Sequence, residues 1–191
     1  MTPEWLTAIA SIGTFVVIAA TALAALIQLR HMRSSNQIVA LNNIWQTASS
    51  RDFLEASDYI TQRLPQLLDD PEMRRKIAGA TSFTGLEEMA PVRLIANFFE
   101  AFGGFVKAGI VDERLALDVW GGPIMFFWRS LSPITQNVRV ATGNPGLWEN
   151  FEYLAVRCQD FIKAHPEGTY PGRVRRSEMP PLWPETTPKT T

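Results

Sequence analysis

The sequence predicts an all-α protein, in which a single N-terminal transmembrane helix continues into a cytoplasmic helical bundle and an extended Pro-rich tail follows. Three observations predict this class. Residues 5–29 carry no charged side chain, apolar residues recur at spacings of three and four through residues 30–165, and residues 166–191 hold six of the 13 prolines. We therefore divide the chain into an anchor at residues 1–29, a bundle domain at 30–165 and a tail at 166–191.

The first element, residues 5–29, is long enough to cross a membrane. As a helix rising about 1.5 Å per residue it measures roughly 37 Å, against about 30 Å for the hydrocarbon core. A cleaved signal peptide is the alternative, with Ala22, Leu23 and Ala24 as its small-residue cleavage motif. However, no basic residue precedes Trp5, and the apolar run continues past that site. A buried soluble helix is the third interpretation, and so long an uncharged segment disfavours it.

Basic residues predict how this helix is oriented. Arg30 and Arg33 follow the apolar segment directly, whereas Glu4 is the charged side chain that precedes it. Because positively charged flanks remain on the cytoplasmic side, we expect a single-pass protein of the cell inner membrane with its N-terminus outside and its body in the cytoplasm. Membrane lipid is then its first partner.

The apolar helix is expected to continue beyond the membrane as a stalk, since residues 28–50 contain neither Pro nor Gly. Inside the membrane part, small residues lie four apart, which lets two helix backbones approach closely. The pairs are Ala10 with Thr14 and Ala20 with Ala24. We expect a protein partner or a second copy to associate through the anchor and stalk, although an Ala-rich composition alone also produces such pairs.

The next elements are predicted from turn and cap residues. Residues 51–69 form an amphipathic helix that Pro65 should kink or end. Asp70 is a suitable N-cap for a short following helix, with Pro71 at its first position and Gly79 at its end.

The core helices are expected between residues 85 and 165. A Phe-rich helix should stop near Gly109, and Asp112 should cap the next one. A further break is predicted at Gly121 to Pro123, because Gly and Pro both disfavour a helix interior. The last helix should start after Asn144 and Pro145 and run to about His165.

Glu100 is the polar residue that stands out in these helices, since it lies between phenylalanines. If it faces inward it needs a cation or a hydrogen-bond donor. Its candidate partners are Arg93 and Asn97 on the same helical face and Arg129 or Arg139 from a later helix. A buried Glu–Arg pair that fixes helix register is the structural interpretation, and a ligand-binding carboxylate is the functional one.

Composition excludes several classes of protein. The net charge of −1 argues against nucleic-acid binding, and the single cysteine, Cys158, excludes an intrachain disulfide and a cysteine-based metal site. His31 and His165 are far apart in sequence, and no nucleotide-binding or zinc-protease motif occurs. We therefore expect no catalytic residues, no metal and no cofactor.

The tail at residues 166–191 cannot bury enough apolar surface to fold alone. Its segment around Leu182 and Trp183 is expected to dock on a partner as an extended Pro-rich ligand, or to pack back on its own domain.

One stretch resembles a known family. NFFEAFGGFVKAGIVDERL, a Trp-Gly pair and FFWRSLSPITQNVR are similar to bacterial membrane-anchored helical proteins of domain-of-unknown-function family 4760. The resemblance extends from the anchor to Arg139 and rests on the apolar pattern, Glu100 and Gly109. It implies a short N-terminal anchor and an all-helical body, and it supplies no activity.

Two classes of function follow from these expectations. The first is a membrane-anchored interaction protein or accessory subunit of a membrane assembly, without catalysis. The second is a membrane-associated sensor or enzyme that binds a small ligand in the bundle near Glu100.

Overall fold

A computed structural model describes residues 3–79 and 86–178 of the chain, and within them every regular element is helical. The all-α prediction is therefore confirmed for these residues. These described residues form seven α-helices, whose bounds are α1 Pro3–Ala48, α2 Arg51–Asp58, α3 Leu64–Asp69, α4 Pro71–Gly79, α5 Ala90–Lys107, α6 Glu113–Thr142 and α7 Glu149–Ala164.

The first helix, α1, is continuous from the apolar segment into the body, as the absence of Pro and Gly predicts. Its segment Ser11–Leu29 has a mean hydropathy of 2.2, and none of it is buried. Among the described residues, this is the one helix that is long and apolar enough to cross a membrane. The far end of α1 meets the bundle, where Ile44 is 5% exposed and Trp45 packs edge-on against Trp120 with ring centroids 5.6 Å apart.

Pro65 does not end the second helical segment. A π turn, Tyr59–Arg63, joins α2 to α3, and the Leu64 N–H bonds to the Tyr59 carbonyl across this wider turn. Pro65 lies in the first turn of α3, directly after this π turn, and the chain stays helical through it.

Predicted caps begin α4 and α6. The Asp70 carboxylate accepts the Glu72 N–H at 2.8 Å, and the Asp112 carboxylate accepts the Leu115 N–H at 2.9 Å. Between α5 and α6, Gly109 adopts a φ of 68°, a left-handed conformation in which L side chains are disfavoured.

The predicted break at Gly121 to Pro123 is wrong, because α6 runs through it. Gly121 faces α7, and the Cys158 thiol lies 3.1 Å from the point where a Gly121 Cβ would be. Glycine here allows two helices to approach closely rather than ending one. Val119 and Pro123 are on the exposed side, where water can bind the carbonyl that Pro123 leaves without a donor.

The last helix starts later than predicted, at Glu149 instead of directly after Pro145. Phe151, Leu154 and Cys158 on this helix are fully buried, as the apolar stripe predicts. Ile162, near the end of the same helix, is 50% exposed.

An aromatic core fills the space between α2, α5, α6 and α7. Phe99 of α5 stacks on Phe151 of α7 with centroids 4.8 Å apart, and Phe98 contacts Phe53 of α2 at 4.8 Å. Trp120 of α6 completes the cluster against Phe98 at 5.9 Å. The helix α5 is therefore the central element, packed on three neighbours.

The start of the tail returns to α6. The Thr169 hydroxyl donates to the Asp118 carboxylate, and the Arg176 guanidinium lies 4.8 Å from the centre of the Tyr170 ring. Residues 166–178 form turns without a regular helix. The predicted contacts of Leu182 and Trp183 lie outside the described residues.

Candidate functional site

The first candidate contact surface is the exposed apolar side of α1, which the bundle leaves uncovered. Apolar side chains on it are exposed both inside the segment Ser11–Leu29 and beyond it, among them Val17 and Ile38, each 65% exposed. In water such a surface would be unfavourable at about 25 cal/mol per Å². Exposed apolar surface of this extent marks a membrane or protein contact.

An apolar groove continues this surface onto the body. It has a volume of about 380 Å³ and lies between the end of α1 and the start of α6. Trp45, which is 60% exposed, forms one wall, and Val119 and Trp120 form the other. The groove is thus built where the stalk meets the bundle.

The small residues predicted to pack in the membrane do not share one face of α1. Ala20 and Ala24 are exposed and lie within one turn of each other. Thr14 lies roughly 100° around the helix from their mean direction, at about 100° per residue. The side chain of Ala10 is outside the described part of the structure.

A second arrangement joins α5 to the start of α7. The Glu100 carboxylate accepts the backbone N–H groups of Asn150 at 2.9 Å and Phe151 at 3.1 Å, and the Asn150 side-chain amide at 2.8 Å. The two backbone N–H groups belong to the second and third residues of α7, and N–H groups in the first turn of a helix have no acceptor within that helix. Glu100 is therefore bonded to a helix N-terminus, where the helix dipole also favours negative charge.

The N-cap residue of α7 explains why a remote carboxylate is needed. Trp148 has a left-handed backbone, with φ 54° and ψ 38°, and its side chain does not cap the helix. Its indole N–H instead donates to the Asn97 side-chain oxygen at 2.9 Å. Asn97 and Glu100, one turn apart on α5, together position the start of α7.

Gly103 allows this contact, because α5 and α7 touch backbone to backbone beside it. A Cβ at this position would lie 2.2 Å from the Asn150 carbonyl oxygen, inside any real contact distance. The next residue, Gly104, has its nearest such neighbour at 3.9 Å. The glycine pair in the Phe-rich helix is therefore asymmetric, and only Gly103 is required by packing.

The three predicted arginines are not partners of Glu100. Arg139 donates to the Leu147 carbonyl at 2.9 Å and to the Glu152 carboxylate at 2.6 Å, which ties α6 to the same end of α7. Arg93 donates to the Leu86 carbonyl at 3.4 Å, and Arg129 is exposed. The structure thus brings together Asn97, Glu100 and Arg139 around the start of α7 and places the other two elsewhere.

A third cluster was missed from the sequence. The Glu113 carboxylate accepts the Arg157 guanidinium at 2.6 Å and the Tyr153 hydroxyl at 2.7 Å. These contacts lower the pKa of Glu113 from its ordinary value of 4.5. The hydrogen bond from Arg157 has the largest effect and the one from Tyr153 the second largest. Glu113 is about 40 residues from Tyr153 and Arg157 in sequence, and no local sequence pattern predicts contacts over such a separation.

Cys158 and His165 both contact other groups of the bundle. Cys158 is fully buried, and this burial raises the pKa of its thiol above the usual range. The His165 ring contacts the Phe161 carbonyl at 2.9 Å at the end of α7. Within residues 3–79 and 86–178, no group of three or more His, Cys, Asp or Glu side chains is placed to hold a metal ion.

A larger open groove, of about 580 Å³, lies between α4 and α6, with Ile77 and Ile134 in its lining. Arg74 and Arg75 lie beside it and donate to the carbonyls of Leu68 and Pro71. These bonds hold the two arginines along α4.

Comparisons with known proteins identify one similarity. A family model described as Domain of unknown function (DUF4760) matches residues 15–158, which includes most of α1 and the bundle up to Cys158. No curated protein and no solved structure matches the chain.

Proposed function

The chain belongs to the DUF4760 family, and from that premise we propose that it is a single-pass membrane-anchored helical interaction protein or an accessory subunit of a membrane assembly. In this proposal α1 holds the protein in the bilayer and the bundle forms its cytoplasmic body. The protein acts by contact with a partner and not by catalysis.

The observation that carries the proposal is the exposure of α1. Its apolar segment Ser11–Leu29 spans about 28 Å at 1.5 Å per residue, close to the thickness of the hydrocarbon core of about 30 Å. None of that segment is buried by the bundle. A bilayer would cover it without any change in the fold.

The flanking charges support an orientation. Arg30 and Arg33 follow the segment, and Glu4 precedes it. In the inner membrane of a bacterial cell, this asymmetry favours a cytoplasmic bundle and an N-terminal end of α1 outside.

The alternative function, a ligand bound near Glu100, is not favoured by the contacts. Three donors from the start of α7 already bind the Glu100 carboxylate. A ligand would have to displace bonds that cap the helix. Glu100 therefore supports the fold in this proposal.

Membrane fractionation of the full chain tests the anchor. We expect the chain to stay with membranes after extraction with alkaline carbonate. Replacing Val17 and Ile18 by Arg should release it, because each Arg costs about 2.5–3.5 kcal/mol at the centre of a membrane helix. Val39→Arg, at an equally exposed position beyond the segment, is the control and should leave the chain in the membrane.

Extraction of the unsubstituted chain by carbonate would overturn the anchor. For the interaction role, a tagged full chain is purified from solubilised membranes. Recovery of a single monomeric chain, free of any other protein, would count against both the accessory subunit and the interaction protein.

A further inference from the structure

We infer that the partner of α1 is α1 of a second copy of this chain, packed in parallel as a two-stranded coiled coil. This inference rests on the membrane anchor proposed above. It deepens that proposal by naming the partner and the surface.

A seam with coiled-coil spacing runs along α1. Successive positions alternate four and three residues apart, which is the heptad pattern of helices that supercoil left-handedly around each other. The side chains in this seam are apolar or small, except at His31 and Ser34 where the membrane segment ends. The positions are Gly13, Val17, Ala20, Ala24, Ile27, His31, Ser34, Ile38, Leu41 and Trp45.

The seam is open in the single chain. Ile38 and Trp45 are 65% and 60% exposed, and Ala20 and Ala24 are exposed on the same face nearer the membrane centre. The groove beside Trp45 lies along this seam. A second helix placed here would cover side chains that the bundle leaves uncovered.

The main contact with the bundle is on an adjacent side of α1, although Leu41 and Trp45 of the seam also touch the bundle at one edge. Ile44 is buried in the core, and Ala40 and Ala48, one turn to either side of it, are packed against that core. Ile38 and Trp45 lie about 100° around the helix from Ile44, at 3.6 residues per turn. One helix can therefore bind the body and a second copy at once.

Charge is compatible with a pair of identical helices. In a parallel pair each seam residue faces its own copy, so any charged residue would be opposed by the same charge. The seam contains no Asp, Glu, Lys or Arg, whereas Glu4, Arg30 and Arg33 fall off it. Two copies anchored in one membrane with the same orientation have their α1 helices parallel.

The area is at the lower limit for a specific dimer. The seam from Gly13 to Trp45 covers 33 residues of α1, which corresponds to a length of about 50 Å and a width of about 10 Å. Contact along this length covers roughly 500 Å² on each helix, and the resulting total of about 1,000 Å² is the smallest that is usual for a specific protein interface.

Cysteine crosslinking in isolated membranes tests the seam on the full chain. Ile38→Cys is on the seam, and Val39→Cys, one residue on and similarly exposed, is off it. Across a parallel pair, Ile38→Cys should form a disulfide on oxidation, giving roughly ten-fold more covalent dimer than Val39→Cys. The unsubstituted chain, whose Cys158 is buried, should give none.

Equal crosslinking at the two positions would overturn the pairing of two copies and leave the anchor proposal intact. So would the absence of crosslinking at residue 38 in chains that remain in the membrane. Release of the unsubstituted chain by carbonate would overturn the anchor itself. Two differently tagged full chains give a second measurement, since they should co-purify in mild detergent. If each tagged chain co-purifies only with a protein other than the second tagged copy, the inference is also contradicted.

Discussion

Glu100 on α5 accepts the backbone N–H of Asn150 at 2.9 Å. It thereby supplies the capping acceptor for α7, a helix that starts 49 residues after it in the chain. The second oxygen of the carboxylate accepts the Asn150 side-chain amide. The geometry makes the end of one core helix dependent on a side chain of another.

Glu100→Ala should therefore destabilise the bundle. Three donors lose their acceptor, and the cost should be about 1–3 kcal/mol of unfolding free energy. Urea titration of the detergent-solubilised full chain, followed by circular dichroism, measures it. Glu149→Ala removes an exposed carboxylate that pairs with Lys107 and should cost less than about 0.5 kcal/mol. Equal losses for the two variants would show that Glu100 does not cap α7.

The glycine pair in α5 offers a matched test of helix approach. Gly103→Ala places a methyl group against the Asn150 carbonyl and should cost about 1–3 kcal/mol by overpacking. Gly104→Ala has room and should be neutral or stabilising by up to about 1 kcal/mol, because Ala favours a helix. Unfolding midpoints of the two full-length variants decide this prediction, and an unaffected Gly103→Ala would contradict it.

The cluster of Glu113, Arg157 and Tyr153 predicts a pH dependence. Because the pKa of Glu113 is lowered in the folded state, its stabilisation is present above pH 4.5 and is lost as pH falls through that lower pKa. The difference in unfolding free energy between the unsubstituted chain and Glu113→Gln should be largest near neutral pH and should shrink below 4.5. A difference that stays constant with pH would argue against the ionised contact.

The end of α1 should stabilise the body as well as tether it. Ile44→Ala should cost about 2–4 kcal/mol, because its side chain is almost fully buried in the bundle. Val39→Ala changes an exposed residue and should cost less than about 0.5 kcal/mol. A shortened chain that begins at Ser50 should likewise unfold at lower urea than the full chain. Unchanged stability in the shortened chain would show that α1 is only a tether.

Local signals were sufficient for most helices. The caps Asp70 and Asp112 and the continuity of α1 were all predicted, because a cap or a helical repeat is written within a few neighbouring residues. Gly121 and Pro123 misled the prediction, since tertiary packing against Cys158 outweighs their intrinsic preference.

The candidate polar site was predicted less well. Glu100 was identified as a residue that needs a partner, but its partners are mainly backbone amides, which every residue carries and no sequence pattern marks. Arg139 was a candidate partner of Glu100, but it pairs with Glu152. Pairing across helices depends on their relative rotation, which a single sequence does not specify.

The continuity of α1 also has a mechanical consequence. No Pro or Gly interrupts this helix between residue 28 and Ala48, so it contains no hinge at the boundary of the bilayer. In an anchored chain, a tilt or twist imposed on the membrane half acts as a torque on the contact between Trp45 and Trp120. If both proposals hold, a change in bilayer thickness or in the pairing of two helices would act on this contact through a helix without a hinge.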